Sequence, residues 1–262
     1  MIDRSVLKPA WKEVKIEAEQ KNRLHIVALS GGKDSTAMAL RLRELYPERK
    51  FRYIITPTGD ELPEMQVHWE KLEKILGKIE VITGKTLFER IEKEKMLPNF
   101  RARWCTRKLK IEPMIDFLDD LPENSVMYVG LRHDEPGRFG LSSLDKKFVV
   151  AYPLRDWEWG LTEVMNYLDR KRIIIPARTD CGCCFYQRLG EWKNLLVKYP
   201  ERYEKYVRLE KKIGHTFRSP GRDTWPAALE ELRKEFNSGR KIRKFTPRAG
   251  GDSTQKCRFC SM

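Results

Sequence analysis

The chain has 262 residues, enough for one good hydrophobic core and a smaller appendage. Its 52 Lys and Arg against 38 Asp and Glu leave a net charge of +14, so we expect an anionic partner, first of all nucleic acid, although a solvated, charge-rich surface explains the same surplus. The start lacks the apolar core of a signal peptide and no run reaches the roughly 18 apolar residues of a membrane span, which predicts a soluble, cytoplasmic protein.

The first elements of the chain predict a strand, a glycine turn and a helix in succession. Residues 5–22 read as a charged amphipathic helix. The apolar run His25–Leu29 is short and branched enough to be a buried strand, and Thr36–Leu45 has apolar side chains at helical spacing. The turn between them reads Ser30-Gly31-Gly32-Lys33-Asp34-Ser35.

This turn has the chemistry of a phosphate-binding loop. Gly31 and Gly32 let the backbone approach an anion closely, the first N–H groups of the helix point at it, and Lys33 adds a positive charge. Two serines add hydroxyls and Asp34 is a candidate magnesium ligand. A plain glycine turn with an ordinary helix cap is the alternative.

The next strand candidate, Phe51–Ile55, leads into Thr58-Gly59-Asp60. A carboxylate near the carboxyl end of a strand lies where open α/β sheets bind ligands, so Asp60 is a candidate for magnesium or a ribose. Acidic residues are also common at the N-terminus of a helix, so a ligand-binding role and an ordinary helix start are equally good interpretations of Asp60.

The rest of the chain alternates strands with helices and then turns helical. This order predicts an α/β fold with a parallel sheet, a nucleotide-binding domain over residues 1–160, and a helical region over residues 161–262. The remaining strands are expected at Ile79–Thr83, Val126–Gly130 and Phe148–Tyr152, and the helices at Glu64–Leu76, Leu161–Arg170, Phe185–Lys198, Glu201–Ile213 and Ala227–Phe236.

A basic segment, residues 101–113, places five cations around Trp104 and Cys105. Such a surface suits a phosphate or sulfate group and a stacked base, although a solvated helix face has the same composition.

Several motifs in order now resemble a known family. The loop Ser30–Ser35 resembles the PP-loop of the ATP pyrophosphatase (adenine nucleotide alpha-hydrolase) superfamily, and the full set resembles the phosphoadenosine phosphosulfate (PAPS) reductase family. The other motifs are Thr58-Gly59-Asp60, Cys105 with Arg107-Lys108 and Pro113, Gly130-Leu131-Arg132, and Tyr152-Pro153-Leu154-Arg155-Asp156-Trp157. The resemblance implies a Rossmann-like, five-stranded parallel sheet with an adenosine nucleotide over its C-terminal edge.

The resemblance also implies roles for individual residues. The loop and Arg132 would grip phosphate, and Arg107 and Lys108 would face the anionic end of the substrate. Nucleotide-binding residues would be Ser30, Gly31, Gly32, Lys33, Asp34, Ser35, Thr58, Gly59, Arg107, Lys108 and Gly130. Catalytic residues would be Lys33, Asp34, Asp60, Cys105 and Arg132, with ATP and Mg²⁺ bound.

The cysteines predict a metal site, because two C-x-x-C pairs in a cytosolic chain suit tetrahedral thiolate ligation. In one arrangement Cys105 joins Cys181 and Cys184, with Cys257 or Cys260 completing the set. In the other, Cys181, Cys184, Cys257 and Cys260 bind one metal and Cys105 stays free. A four-iron four-sulfur cluster is favoured by the resemblance, zinc is the alternative, and Cys183 is a packed thiol.

The activity expected from the resemblance is sulfur transfer. The chain ends Cys257-Arg258-Phe259-Cys260-Ser261-Met262 and lacks the catalytic tail of sulfate reductases. Related branches use ATP to activate an oxygen for replacement by sulfur, in DNA phosphorothioation or tRNA thiolation. We therefore expect DNA or tRNA as partner and a sulfur-donor protein such as a cysteine desulfurase. PAPS or adenylyl-sulfate reduction and a non-catalytic nucleic-acid-binding module with structural zinc are the alternatives.

The helical region interleaves aromatic and basic residues, as at Tyr186-Gln187-Arg188 and His215–Trp225. Cations for phosphates and rings for bases suit a strand of nucleic acid, whereas a packed subdomain with a solvated rim explains the same pattern.

Overall fold

A five-stranded, all-parallel sheet forms the centre of the molecule. The computed structural model describes residues 23–123, 125–138 and 148–242. Along the sheet the strands run in the order β3-β2-β1-β4-β5. Their bounds are β1 His25–Ala28, β2 Phe51–Ile55, β3 Ile79–Val81, β4 Val126–Tyr128 and β5 Val149–Ala151. The predicted α/β fold with a Rossmann-like parallel sheet is confirmed, and each strand is as long as expected or slightly shorter.

The strands pair in register, and the central ones are buried throughout. His25 of β1 lies beside Phe51 of β2 and Val126 of β4. Every residue of β1 and β4 is buried, as expected of strands covered on both faces. At the edge of the sheet, by contrast, Val81 of β3 is 57% exposed. Continuous apolar runs therefore identified the central strands.

Helices flank the sheet and make up the C-terminal part. The bounds are α1 Lys33–Leu45, α2 Pro63–Leu76, α3 Leu87–Glu94, α4 Trp104–Thr106, α5 Glu112–Asp119, α6 Pro153–Asp156, α7 Leu161–Arg170, α8 Leu189–Lys198, α9 Pro200–Ile213 and α10 Leu229–Asn237. A π-helical turn, Arg107–Ile111, joins α4 to α5. The helix expected over residues 5–22 lies outside the described residues.

Two of these helical stretches were not expected from the sequence. Helix α3 begins at a capping box, in which the Thr86 hydroxyl accepts from the Glu89 amide while the Glu89 carboxylate accepts from the Thr86 amide at 2.7 Å. The pattern Thr-x-x-Glu, here Thr86-Leu87-Phe88-Glu89, is a signal that would have predicted it. The stretch from Trp104 to Asp119 was not assigned a helix of its own. Residues 101–113 were interpreted as a basic surface or a solvated helix face, and the π-helical turn interrupts the apolar periodicity of the stretch.

The buried residues that the structure describes form three hydrophobic clusters, two of which cross the boundary that the sequence placed near residue 160. Two of the three pack against the sheet, one including Val164 of α7 and the other including Met114 of α5. The third joins the C-terminal helices, through residues such as Trp192, to Leu87 and Ile91 of α3. The helical region thus packs on a helix that precedes β4. The expected boundary near residue 160 stays a prediction. No helix in the described ranges is long and apolar enough to cross a membrane.

The strand order places a crevice between β1 and β4, where the connections leave in opposite directions along the sheet. Gly130 follows β4 and touches the first turn of α1. A Cβ at Gly130 would lie 2.9 Å from the Ser35 amide nitrogen and 3.0 Å from its Cα. Only glycine permits this approach, so the ends of β1 and β4 meet without a side chain between them.

We predict that Gly130→Ala destabilises the protein by about 1–3 kcal/mol, because the new methyl group overlaps backbone atoms that cannot move aside. Urea unfolding measures this. Gly190→Ala in α8 is the matched control, since a Cβ there meets nothing within 4 Å, and we expect it to be neutral or stabilising by up to about 1 kcal/mol. Equal stability of the two variants would contradict the proposed close approach.

Candidate active site

The loop after β1 is held in shape by its own two serines. The Ser35 hydroxyl accepts from the Ser30 amide at 3.1 Å and donates to the Gly32 carbonyl at 3.2 Å. The Ser30 hydroxyl accepts from the Gly32 amide at 3.2 Å and lies 2.9 Å from the Ser35 hydroxyl, to which it donates when Ser35 donates to Gly32. These hydroxyls were expected to bind phosphate, and in this structure they fix the loop that presents the amides.

The N-terminus of α1 opens onto a cavity. Its N-cap is Gly32, which has no side chain to occupy the first N–H groups, and Gly32, Lys33, Asp34 and Ser35 all line the cavity. Gly31 has φ +77°, and a Cβ on it would fall 2.6 Å from the Trp69 indole nitrogen of α2. A helix start beside a lysine has the electrostatics of an anion site, and phosphate binding here stays a prediction.

Arg132 contacts this site through Asp34. Its Nη1 lies 3.2 Å and 3.3 Å from the two Asp34 carboxylate oxygens, and its Nε donates to Asp134 at 2.8 Å. Lys33 Nζ is 3.8 Å from the same Asp34 carboxylate. Arg132 is 5% exposed and is not among the residues that line the cavity. It therefore fixes the first turn of α1, while its expected approach to phosphate stays a prediction.

The Asp34 carboxylate does not fit a magnesium ligand as it stands, because a guanidinium already engages both of its oxygens. We therefore assign no step to magnesium at this residue.

The loop after β2 is closed by a glutamate that the sequence did not single out. Glu61 Oε1 accepts from the Thr58 amide at 2.6 Å and the Thr58 hydroxyl at 2.8 Å, and Glu61 Oε2 accepts from the Gly59 amide at 3.0 Å. Gly59 has φ +79°, a conformation that favours glycine. Thr58 and Glu61 line the cavity, whereas Gly59 is not among its lining residues, and nucleotide contact at this turn stays a prediction.

Asp60 does not line the cavity. It joins this loop to residues 181–184, which we call the cysteine turn. Its carboxylate accepts from the Tyr206 hydroxyl at 2.7 Å and the Cys183 amide at 3.0 Å, and its carbonyl accepts from the Gly182 amide at 2.7 Å. A backbone bridge between Glu61 and Cys181 lies alongside. Burial raises the pKa of Asp60 above its usual value, although these donors oppose the shift. Magnesium does not fit here either, since both oxygens have protein donors.

Four thiols line the same cavity as the phosphate loop. They are Cys105 from α4 and Cys181, Cys183 and Cys184 from the turn before α8. Burial and the neighbouring Cys184 raise the pKa of Cys105. Burial raises the pKa of Cys183 to about 12. The structure thus brings together Cys105, Cys181 and Cys184, which the sequence proposed as common ligands.

These thiols are not set as a finished metal site. Among the described residues, no three side chains of His, Cys, Asp or Glu are arranged to hold a metal ion. Cys257 and Cys260, the other expected ligands, lie outside the described residues. The donor type suits a thiolate-bound metal, and the ligand set stays a prediction.

The cation that the basic segment gives to the cavity is Lys110. Arg107 is exposed and pairs with Glu112 at 3.5 Å, and Lys108 pairs with Glu94 at 2.6 Å. Neither of these two residues lines the cavity, whereas Lys110 does. The π-helical turn at Arg107–Ile111 changes the angular spacing of the side chains, and an α-helical count from Cys105 would not anticipate this.

A second stretch missed by the sequence reasoning, residues 175–180, also lines the cavity. A Cβ on Gly32 would lie 3.6 Å from the Thr179 hydroxyl, so this stretch passes beside the phosphate loop. Arg178 donates to Asp180, to the Gln187 side chain at 2.8 Å and to the Cys181 carbonyl at 2.8 Å. It thereby ties the stretch to the cysteine turn.

The cavity is partly open to solvent. Its lining joins the phosphate loop, the ends of β1 and β2, residues 175–180 and the four thiols.

A family model for the phosphoadenosine phosphosulfate reductase domain matches residues 25–196, well over half of the chain. The chain belongs to this family. Membership in the PAPS reductase family implies a role in nucleotide and sulfur chemistry, and the matched region includes the phosphate loop and the four thiols of the cavity.

Similar proteins include two from Methanocaldococcus jannaschii. The uncharacterized protein MJ0066 is 28% identical over 69% of this chain and 40% of its own length, and the uncharacterized protein MJ0973 is 24% identical over 82% of this chain and 56% of its own. The chain thus spans about half the length of the curated relatives it matches. A crystal structure of PAPS reductase from Candida auris, a phosphate complex, has a TM-score of 0.44 at 14% identity, covering 67% of this chain and 90% of that one.

We predict that Tyr206→Phe destabilises the protein by about 1–3 kcal/mol, because it leaves a buried Asp60 oxygen without its donor. Urea unfolding measures the loss, and faster alkylation of Cys183 would report loosening of the cysteine turn. Tyr46→Phe, at a ring packed against the Arg49 guanidinium, is the control and should change stability by less than about 0.5 kcal/mol. An unchanged unfolding curve for Tyr206→Phe would exclude Asp60 as the link between the two parts.

Proposed function

We propose that this PAPS reductase family member is an ATP pyrophosphatase-type sulfurtransferase. It adenylates an oxygen of a nucleic acid, and sulfur then replaces that oxygen, as in DNA phosphorothioation or tRNA thiolation. The observation that supports this most directly is that a phosphate loop and four thiols line one cavity. The net charge of +14 supports a polyanionic acceptor.

The reaction has two steps. The acceptor oxygen attacks the α-phosphorus of ATP, the bond to the β-phosphate oxygen breaks, and pyrophosphate leaves. A sulfide ion, released from the persulfide of a donor protein such as a cysteine desulfurase by a thiol reductant that becomes a disulfide, then attacks the adenylated centre. The bond to the original oxygen breaks, and that oxygen leaves on AMP. No net oxidation or reduction of the acceptor occurs.

The residues of this chain contribute position and charge. The amides at the start of α1 and the Lys33 ammonium group would hold the phosphates of ATP, and Lys110 would offset negative charge further along the cavity. Arg132 is a positioning residue here, because it acts through Asp34 on the first turn of α1. This arrangement is preorganised by the two serines of the loop before any ligand binds.

The thiols suit an iron–sulfur cluster, with zinc as the alternative, and we infer that Cys105, Cys181 and Cys184 supply ligands. Three thiols at one cavity are the donor set such a group needs, and Cys257 or Cys260 would complete it. When bound, a cluster would hold sulfur or pass electrons beside the nucleotide.

Reduction of PAPS or adenylyl sulfate is the second candidate, because the family model that matches is named for PAPS reduction. A thioredoxin-coupled assay that releases sulfite would favour it. Pyrophosphate and AMP release from ATP, stimulated by DNA or tRNA, would favour sulfur transfer. A non-catalytic nucleic-acid-binding module with structural zinc would show neither activity.

We predict that Lys33→Ala weakens ATP binding by about 100-fold, the loss expected when a charged donor to phosphate is removed, without changing the metal content. Equilibrium dialysis with ATP measures it. Lys108→Ala is the matched control, since Lys108 pairs with Glu94 and does not line the cavity. Unchanged ATP affinity in Lys33→Ala would count against the nucleotide site.

For the thiol site we expect protein purified without oxygen to be brown, to absorb near about 400 nm and to contain iron with acid-labile sulfide. Metal and sulfide analysis checks this, and Cys184→Ser should lower both contents. If the protein is colourless and contains one zinc per chain, the metal at this site is zinc and not an iron–sulfur cluster. If it contains neither metal, the proposed metal site is wrong.

A further inference from the structure

An aromatic ring stands at the thiol end of the cavity. Tyr186 lines the cavity two residues after Cys184. The Arg103 guanidinium carbon lies 5.5 Å from the centroid of the Tyr186 ring, and the Phe185 ring centroid lies 4.4 Å away. Arg222 donates to the carbonyls of Phe185 and Gln187 at 3.0 Å and 3.1 Å, which fixes the backbone on both sides of Tyr186. The ring is therefore held in place by its surroundings.

The two ends of the cavity differ in chemistry. Around the phosphate loop, the wall consists of strand ends such as Leu29 and Ile55 with the amides of α1, which suits an adenosine nucleotide. Around the cysteines, the wall offers thiols and the Tyr186 ring, and the Arg103 guanidinium lies over that ring without lining the cavity itself. A planar group fits such a ring, because stacking on an aromatic face needs no specific hydrogen bond.

The segment before Cys105 carries a second ring with a cation. Phe100 is 50% exposed, and the Arg101 guanidinium lies 5.4 Å from its ring centroid. The Asn99 side chain accepts from the Arg101 amide at 3.0 Å and from the Ala102 amide at 2.9 Å, so the turn that carries Phe100 is fixed. A second ring with a cation thus lies between Pro98, which lines the cavity, and Arg103.

We propose that the acceptor is an unpaired nucleobase that stacks on Tyr186, with the flanking strand passing over Phe100 and Arg101. This rests on the proposed function and narrows it to thiolation of a base rather than of the phosphate backbone. The base carbonyl oxygen attacks the α-phosphorus and later leaves on AMP, and the base gains sulfur from the donor. A base within a duplex has no free face, so the acceptor must be single-stranded or flipped out.

The test is binding of short oligonucleotides that carry one 2-aminopurine, whose fluorescence is quenched by stacking. The probes are single-stranded RNA and DNA of one sequence, their duplexes, and single strands with an abasic site in place of the reporter base, followed by an end label. We expect single strands to bind more tightly than duplexes or abasic strands, and the RNA and DNA arms to identify the sugar.

Two variants separate stacking from other roles of the residue. Tyr186→Leu should weaken single-strand binding by about tenfold to a hundredfold and abolish the quenching, whereas Tyr186→Phe should keep both. Neither should change ATP affinity, which also shows that the variants are folded. Tyr46→Leu, at a ring away from the cavity lining, is the control.

The possible results are distinct. Equal binding of abasic and intact strands, tight binding of duplexes alone, or no binding of any probe overturns the base-stacking proposal. Loss of ATP affinity in Tyr186→Leu also overturns it and assigns the ring to the adenine. If instead the unaltered protein fails to bind ATP at all, the proposed function itself fails, whatever the oligonucleotides do.

Discussion

The contact between Gly130 and the first turn of α1 is the constraint on which the site depends. It brings the end of β4 against the helix that follows β1, and any Cβ at this position would meet the Ser35 backbone. Because the two strand ends touch, Arg132 reaches Asp34 and the helix start is held by a buried ion pair. The direction of the α1 amides is thus set by backbone packing, and Arg132, which contacts Asp34 beside them, does not itself line the cavity.

Asp60 supplies a second constraint of a different kind. It lies between a cavity-lining loop and the cysteine turn, and its carboxylate oxygens accept from residues far away in sequence. The cysteine turn can lie this close only because residue 182 is glycine, since a Cβ there would fall 2.2 Å from the Tyr206 hydroxyl oxygen. Hydrogen bonds at Asp60 therefore help to set the position of the thiols beside the loop after β2. A displacement of that loop would displace the cysteine turn as well.

The sequence was sufficient to predict features whose signal is local. It was insufficient for features that depend on residues far apart in the chain. Five strands and the phosphate loop follow from apolar runs and a glycine turn between neighbours in the chain. The hydrogen-bond partners of the Asp60 carboxylate are 123 and 146 residues away, and no sequence pattern near Asp60 indicates them. The choice of Lys110 over Lys108 depends on a π-helical turn, whose spacing no apolar periodicity revealed.

The charge of the protein and the selectivity of the site have different origins. Several cations near the cavity are already engaged: Arg132 with Asp34, Lys108 with Glu94, and Arg178 with the cysteine turn. In the proposed function, the net charge of +14 acts at long range and draws the polyanion to the surface without selecting a position on it. Selection requires short-range contact, and in our proposal Tyr186 provides it beside the thiols. Because a ring recognises the planar face of a base and not the charge of the backbone, the proposal assigns attraction and recognition to separate parts of the molecule.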